Sequence, residues 1–313
     1  MVRAARADLA PSLGGTLRAH LGPLGVDVAV VEDSWRGYDH VNVQAGLDAW
    51  LTESGRSHEI VGVAGFQHQP FGLTELLNPG AMSEPWGPRP GNVATTNVPI
   101  GPAGQVRPCA SCAMYLVTDG GRRTALLLRG PDQHGMRQGV TLQIVSTEPG
   151  AAAETATDIR RLALVHNVFR GQVLSFGGEM FEPGQSVLRF HVRPMLDRSA
   201  VVLPDGVLET VERQVVGVGA HAPRLLASGQ HLKRGLLLYG PPGTGKTHTV
   251  RYLVGRTDGV TVIELTGAAL HLIAEACSVA RTLAPAIVVV EDVDLIAEDR
   301  GAFGGEHPLL FQL

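Results

Sequence analysis

Lysine is scarce in this chain: of 26 basic residues only Lys233 and Lys246 are Lys, and Arg supplies the rest. Cysteine is scarce too, and three thiols, an odd number, argue against a disulfide framework and for a reducing compartment. No run approaches the ~18 apolar residues that a membrane-spanning helix needs, and no signal-peptide core precedes Val26. No sign of charge dominates. The net charge is -4, the acids are spread over both halves, and there is no basic stripe of the kind that binds nucleic acid or an anionic membrane surface. A hydrophobic content of 44% with 18% charged residues excludes a disordered polymer. The expectation is a cytoplasmic, soluble protein with no nucleic acid and no membrane as partner, long enough at 313 residues for two separate cores.

In the first half, Leu9, Leu13, Leu17 and Leu21 recur at a helical period, and the apolar run 26–31 reads as a strand. Val41, Ala45, Trp50 and Leu51 predict a helix over 38–54 that stops at Gly55, with Trp50 as plain core. A strand follows over 60–64. Residues 65–108 are dense in Pro, Gly and Asn and read as a long Pro/Gly-rich loop. Strands over 113–118 and 124–128 flank Asp119-Gly120-Gly121 as a hairpin, another strand covers 140–146, and a helix covers 151–169. With strands over 172–176 and 187–192 this makes an α+β N-terminal domain, residues 1–195, of unknown ligand. Cys109-Ala110-Ser111-Cys112 is a lone C-x-x-C without a second pair at zinc spacing, so it reads as an incidental thiol pair. His58, His68, His166 and His191 stand singly and suit solvated or core-satisfied roles. Residues 193–200 read as the junction to a second domain.

That domain, from residue 201, is organised around Leu236-Leu237-Leu238-Tyr239-Gly240-Pro241-Pro242-Gly243-Thr244-Gly245-Lys246-Thr247. An apolar strand runs into a glycine loop and then into the helical pattern Val250, Leu253, Val254, the context in which G-x-x-x-x-G-K-T cradles phosphate. The glycines turn backbone N–H groups toward an anion and the helix adds its positive end. Lys246 reaches the β and γ phosphates and the Thr247 hydroxyl is placed for Mg²⁺. A Lys kept here in an Arg-rich chain fits a tight loop that a bulkier guanidinium would not enter. Downstream, a strand over 260–264, a helix over 267–283 and the apolar run Ile287-Val288-Val289-Val290 follow, the last reading as a buried central strand. It ends on Glu291-Asp292-Val293-Asp294. Acids at such a strand end face the phosphate crevice, where one carboxylate can hold the Mg²⁺ water shell and its neighbour orient the attacking water.

Gly240-Pro241-Pro242-Gly243-Thr244-Gly245-Lys246-Thr247, together with Ala284-Pro285-Ala286 before the acidic strand, resembles the AAA branch of the AAA+ ATPases, an α/β P-loop NTPase fold. The resemblance covers residues 201–313. It implies Walker A roles for Gly240, Pro241, Pro242, Gly243, Thr244, Gly245, Lys246, Thr247 and the adjoining His248, and Walker B roles for Glu291 and Asp292. Mg²⁺ would lie on Thr247 and Glu291, and Lys246, Glu291 and Asp292 would carry catalysis. Residues 202–204 would lie where the family's backbone meets adenine. ATP and Mg²⁺ are the implied ligands, a protein substrate and a homo-oligomer, hexameric in the family, the implied partners.

Three departures from the family pattern carry expectations. Walker B reads Glu291-Asp292 where the family ends Asp-Glu, so the water-side acid is one methylene shorter and slower hydrolysis is expected. The stretch between Gly267 and Ala284 is shorter than the family's and lacks its aromatic-hydrophobic-Gly pore loop. Gly301-Ala302-Phe303-Gly304-Gly305, near a second pore-loop position, reads as an ordinary surface loop. The chain ends at Leu313, which leaves the ATPase domain incomplete at its C-terminus as read, without the sensor-1 strand, arginine finger and lid. In that family the sensor strand inserts between the Walker A and Walker B strands, so both are expected to lack a neighbour here. Two functions follow: an ATPase that remodels a protein partner, or a nucleotide-gated binding module with little or no turnover. A small-molecule kinase is disfavoured by the lack of any legible acceptor pocket.

Overall fold

Asp119-Gly120-Gly121 does what its composition predicts: Gly120 (φ 56°) and Gly121 (φ 98°) are both left-handed, and they return β5 (Val106–Asp119) into β6 (Arg122–Arg129) with Asp119 opposite Arg122. The computed structural model describes residues 12–25, 28–53, 55–64, 71–78, 87–132, 138–177 and 187–291. These form two compact units.

The first unit is an antiparallel sheet covered on both faces by helices. Its strands are β1 (Val31–Arg36), β2 (Arg56–Ala64), β3 (Arg89–Gly91), β4 (Ala94–Pro99), β5, β6 and β7 (Gly139–Ser146), in the order β1-β7-β6-β5-β2-β3, with β4 pairing the early part of β5. On one face α2 (His40–Leu51) and α4 (Ala151–Val165) bury Val43, Leu47, Trp50, Ala152, Ala156 and Ile159 against Tyr115, Leu126 and Ile144. On the other, α1 (Leu13–Leu21) and α3 (Leu73–Leu77) bury Leu13, Leu17, Leu21, Leu73 and Leu76 against Met114, Leu127 and Val145. Gly46 is where α2 and α4 meet: a Cβ there would lie 2.6 Å from the Ala163 nitrogen.

The buried polar residues of α2 have a backbone task. β6 accompanies β5 only from Cys112 onward, and at Ala110 side chains take over: the Ala110 N–H donates to Gln44 Oε1 at 3.0 Å, and His40 Nε2–H donates to the Ala110 carbonyl at 2.9 Å. Burial holds the His40 imidazole below its ordinary pKa, against the opposing pull of that carbonyl. Cys109, beside it, donates its S–H to the Arg107 carbonyl, and burial pushes the thiol up to about 11, an inert group and no nucleophile.

Two readings of the first half are corrected. The strand expected over 26–31 begins at Val31 and runs on to Arg36, where alternation in burial sets in. The loop expected over 65–108 holds α3, β3 and β4 among its described residues. Phe71, Leu73 and Leu76 supply a buried helical face, and Pro90 is tolerated because β3 ends the strand order.

The second unit starts at Phe169, not after residue 195. β8 (Val173–Gly177) and β9 (Val187–His191), expected in the first domain, belong to a sheet of order β11-β10-β8-β9 with β10 (Thr261–Leu265) and β11 (Ala286–Val290). β8, β10 and β11 are parallel, with Val262 between Val173 and Ile287. Helices α5 (Val207–Glu212), α6 (Val218–Ala220) and α7 (Ala222–Ala227) precede the glycine loop, α8 (Lys246–Gly255) follows it, and α9 (Ile273–Thr282) packs on β10 and β11. The helix expected over 267–283 is a 3-10 turn, Gly267–Leu272, leading into α9. Residues 193–200, expected as a junction, lie inside this unit, and Arg193 is its fastener. Its Nη1 donates to the Val254 carbonyl and Thr257 Oγ1, its Nη2 to the Gly171 and Val260 carbonyls.

All three Trp precede residue 169, so tryptophan fluorescence reports on the first unit alone. Gln44→Leu strands the buried Ala110 N–H and is expected to cost about 1–3 kcal/mol in a urea titration read by that signal. With the folded His40 held below 6.5, the unfolded chain takes up a proton that the folded chain refuses. His40's contribution is therefore complete above pH 6.5 and declines as pH falls below it. His40→Gln should flatten the loss of stability between pH 7 and pH 5; an unchanged slope would show that His40 is not its source.

Candidate functional site

The glycine loop at 240–245 is shaped by backbone that only glycine adopts readily. Gly243 (φ 78°) and Gly245 (φ 86°) are left-handed, and Gly240 (φ 152°) lies at the edge of that region, where a Cβ would sit 3.2 Å from Thr244 Oγ1. Thr244 Oγ1 in turn donates to the Pro241 carbonyl at 2.9 Å. Gly245 caps α8, which starts at Lys246, so the unpaired N–H groups of its first turn open onto the loop. Lys246 folds back over the loop, its Nζ donating to the Gly240 carbonyl at 2.7 Å and the Pro241 carbonyl at 3.0 Å. Pro242 and Thr247 complete the turn. The arrangement is an exposed nest of donors with one ammonium held at its mouth, which is the chemistry a polyphosphate needs.

α8 lies on the parallel sheet through Val250 and Val254, which pack with Val173, Val262, Ile287 and Val289. Arg193 fixes its far end to the start of β10, so helix and strand run in opposite directions and the glycine loop stands at the C-terminal end of β10 and β11. Glu291 emerges at that end: its N–H donates to the Leu265 carbonyl at 3.0 Å, one residue past β11. Asp292 and Asp294 lie outside the described residues, as does the 301–305 glycine segment.

Sequence reasoning missed Glu264, two residues after Val262 and so on the face that α8 covers, opposite Ser175 and Val289. Burial raises its carboxyl pKa, the Glu291 charge adds to the rise, and His191 and Arg251 oppose it. His191 Nε2 pairs with Ser175 Oγ at 2.7 Å. An acid inside an apolar strand pattern leaves no periodic signal, and the sequence alone groups β8 and β9 with the first domain. No group of three or more His, Cys, Asp or Glu among the described residues could hold a metal by itself.

The expected strand over 236–239 is not formed. These residues carry no ladder bonds among the described residues, and Leu237 and Tyr239 are 76% and 90% exposed. β11, expected as a central buried strand, ends the strand order among the described residues and is half-buried throughout. Both observations have one cause: no described strand lies between 236–239 and β11.

Residues 236–308 match the family model for the ATPase family associated with various cellular activities (AAA). The chain is 32% identical over 124 residues to ATP-dependent zinc metalloprotease FtsH 3 of Symbiobacterium thermophilum, which covers 36% of this chain and 20% of that protein. It is 33% identical over 103 residues to 26S protease regulatory subunit 6A of Caenorhabditis elegans (30% and 24%) and 34% identical over 102 residues to 26S proteasome regulatory subunit 8 of Dictyostelium discoideum (29% and 25%). The chain thus spans about a fifth to a quarter of the length of these relatives. The comparisons and the parallel sheet with its glycine loop agree on an α/β P-loop NTPase unit that resembles the AAA+ ATPases. No helix among the described residues is long and apolar enough to cross a membrane.

Peptide-level hydrogen exchange checks this geometry. Amides of β10, bonded on both sides, should be strongly protected, and those of 236–239 should exchange within seconds. Equal protection of the two would show that 236–239 is paired after all.

Proposed function

We propose that the second unit binds Mg²⁺-ATP through its glycine loop and hydrolyses it, and that the cycle remodels a protein partner in the cytoplasm, with the chain working as a homo-oligomeric ring. The observation that carries the reading is the loop itself: left-handed Gly243 and Gly245 feeding the start of α8, with Lys246 folded across the carbonyls of Gly240 and Pro241. Residues 240–247 would surround the phosphates, with Lys246 turning from the carbonyls to the β and γ oxygens. The Thr247 hydroxyl and Glu291 would hold Mg²⁺, which when bound neutralises charge on the phosphate oxygens. Asp292 would orient the attacking water. The relatives named above are ATP-dependent proteases and proteasome regulatory subunits, which supports ATP as the nucleotide and protein as the substrate class.

A second reading, a nucleotide-gated module with negligible turnover, is favoured by one feature: the order Glu291-Asp292 gives the longer side chain to the metal and the shorter one to the water.

Lys246→Ala should weaken ATP binding at least tenfold, about 1.4 kcal/mol or more, because a charge-assisted phosphate contact is lost. Unchanged affinity by calorimetry would overturn the assignment. Asp292→Asn should abolish phosphate release while ATP still binds, and Glu291→Asp with Asp292→Glu should raise the rate if reach limits it. Parent-rate hydrolysis by Asp292→Asn would move the role to Glu291 or Asp294.

A further inference from the structure

His248 follows Thr247 directly on α8, and its Nε2–H donates to the Ala200 carbonyl at 3.1 Å, across 48 positions of sequence. One turn along the same helix Tyr252 OH donates to Glu212 Oε1 at 2.5 Å. Glu212 and Glu209 in turn hold Arg198, and the Tyr252 hydroxyl, with the Arg198 guanidinium, draws the Glu212 carboxyl below its ordinary range. Between these ties Val201, Leu208 and Val211 bury against Tyr252 and Leu253, with Leu203 and Leu238 at the margin. Residues 198–212 are thus laid along α8 by two polar ties and an apolar seam, and the upper tie sits one residue from the end of the phosphate loop.

Within this segment the Ala200 and Val201 N–H groups are engaged by the Asp197 and Arg198 carbonyls, and the Pro204 carbonyl accepts from Val207. Among the described residues that leaves the backbone of Val202 and Leu203 to meet a ligand, and Val202 is 88% exposed. A nucleotide whose phosphates fill the loop has its base within reach of a segment anchored at His248. The imidazole cannot serve the phosphates at the same time with the same N–H, since that donor is committed to Ala200.

We propose that His248 is a positioning residue for the nucleobase: through the Ala200 carbonyl it holds the 200–204 backbone beside the phosphate loop, and it contributes to base affinity without touching phosphate. The proposal rests on the phosphate-loop reading above and assigns His248 a different part of the nucleotide from the one Lys246 serves.

Calorimetric titration of the full chain with Mg²⁺-ATP and with inorganic tripolyphosphate, which has no ribose or base, separates the two. In His248→Ala the affinity for ATP should fall about tenfold, the loss of one hydrogen bond and of the ordering it enforces, with tripolyphosphate affinity unchanged. His248→Gln, whose amide can still donate to a carbonyl, should recover most of the ATP affinity. Equal weakening of both ligands in His248→Ala would make the imidazole part of the loop's own structure and overturn the proposal, as would unchanged ATP affinity or no recovery in His248→Gln. Failure of the parent chain to bind tripolyphosphate would instead remove the phosphate-loop reading, and this proposal with it.

Discussion

The second unit depends on the guanidinium of Arg193. Four acceptors from three stretches of chain converge on it: the Gly171 carbonyl ahead of β8, the Val254 carbonyl and Thr257 Oγ1 at the end of α8, and the Val260 carbonyl ahead of β10. Helix ends leave carbonyls without partners, and a planar fork of donors satisfies several at once where an ammonium could not match the geometry. Because those carbonyls mark the C-terminus of α8 and the N-termini of two parallel strands, one side chain sets the direction of the helix against the sheet. That direction delivers the glycine loop to the strand ends where Glu291 emerges. The glycine loop is thus fixed from its far side, by a residue that stands outside the proposed nucleotide site.

The first unit solves a similar problem with neutral groups. β5 is longer than β6, and an unpaired buried peptide costs as much as a lost hydrogen bond. Gln44 and His40, one turn apart on α2, offer an acceptor and a donor to the two sides of Ala110. The ring of His40 is seated over Gly130, where a Cβ would come within 2.4 Å of it, so glycine there is a packing requirement with no bearing on φ. Gln44 also reaches Asp48 and Tyr115, whose phenol burial pushes up to about 12. In this seam His40, Gln44, Asp48 and Tyr115 each have a backbone or side-chain partner, so its polar groups serve the fold.

The legible part of the fold was the part governed by short-range pattern. The Asp119-Gly120-Gly121 hairpin, Trp50 as core and the strand-like β7 follow from period and turn chemistry alone, as does the helix expected over 151–169, although it ends earlier, at Val165. The glycine loop was legible because φ > 0 at three positions favours glycine and because Lys246 is one of only two Lys in an Arg-rich chain. What could not be read was pairing at a distance. β8 and β9 look like any short apolar strands, and only their register with β10 assigns them to the parallel sheet. Residues 236–239 have a strand's composition but no described neighbour, so an intrinsic preference for extended backbone produces no strand. Glu264 was invisible for the same reason, since its role depends on α8 covering the face it shares with Ser175 and Val289.

Charge balance in the crevice connects these features to the chemistry proposed for it. Glu264 stands on β10 and Glu291 one residue past the adjacent β11, and burial, with the Glu291 charge adding to it, raises the Glu264 carboxyl pKa. Arg251 and His191 offset part of that, while Lys246 is turned away to the loop carbonyls. Under the proposed function, this balance would favour a polyphosphate that arrives with a divalent cation over a bare one, because the cation would shield the ligand from the acids. In that reading the glycine loop would supply neutral N–H dipoles for the oxygens the cation does not cover, so the proposed phosphate recognition does not require a cluster of cationic side chains.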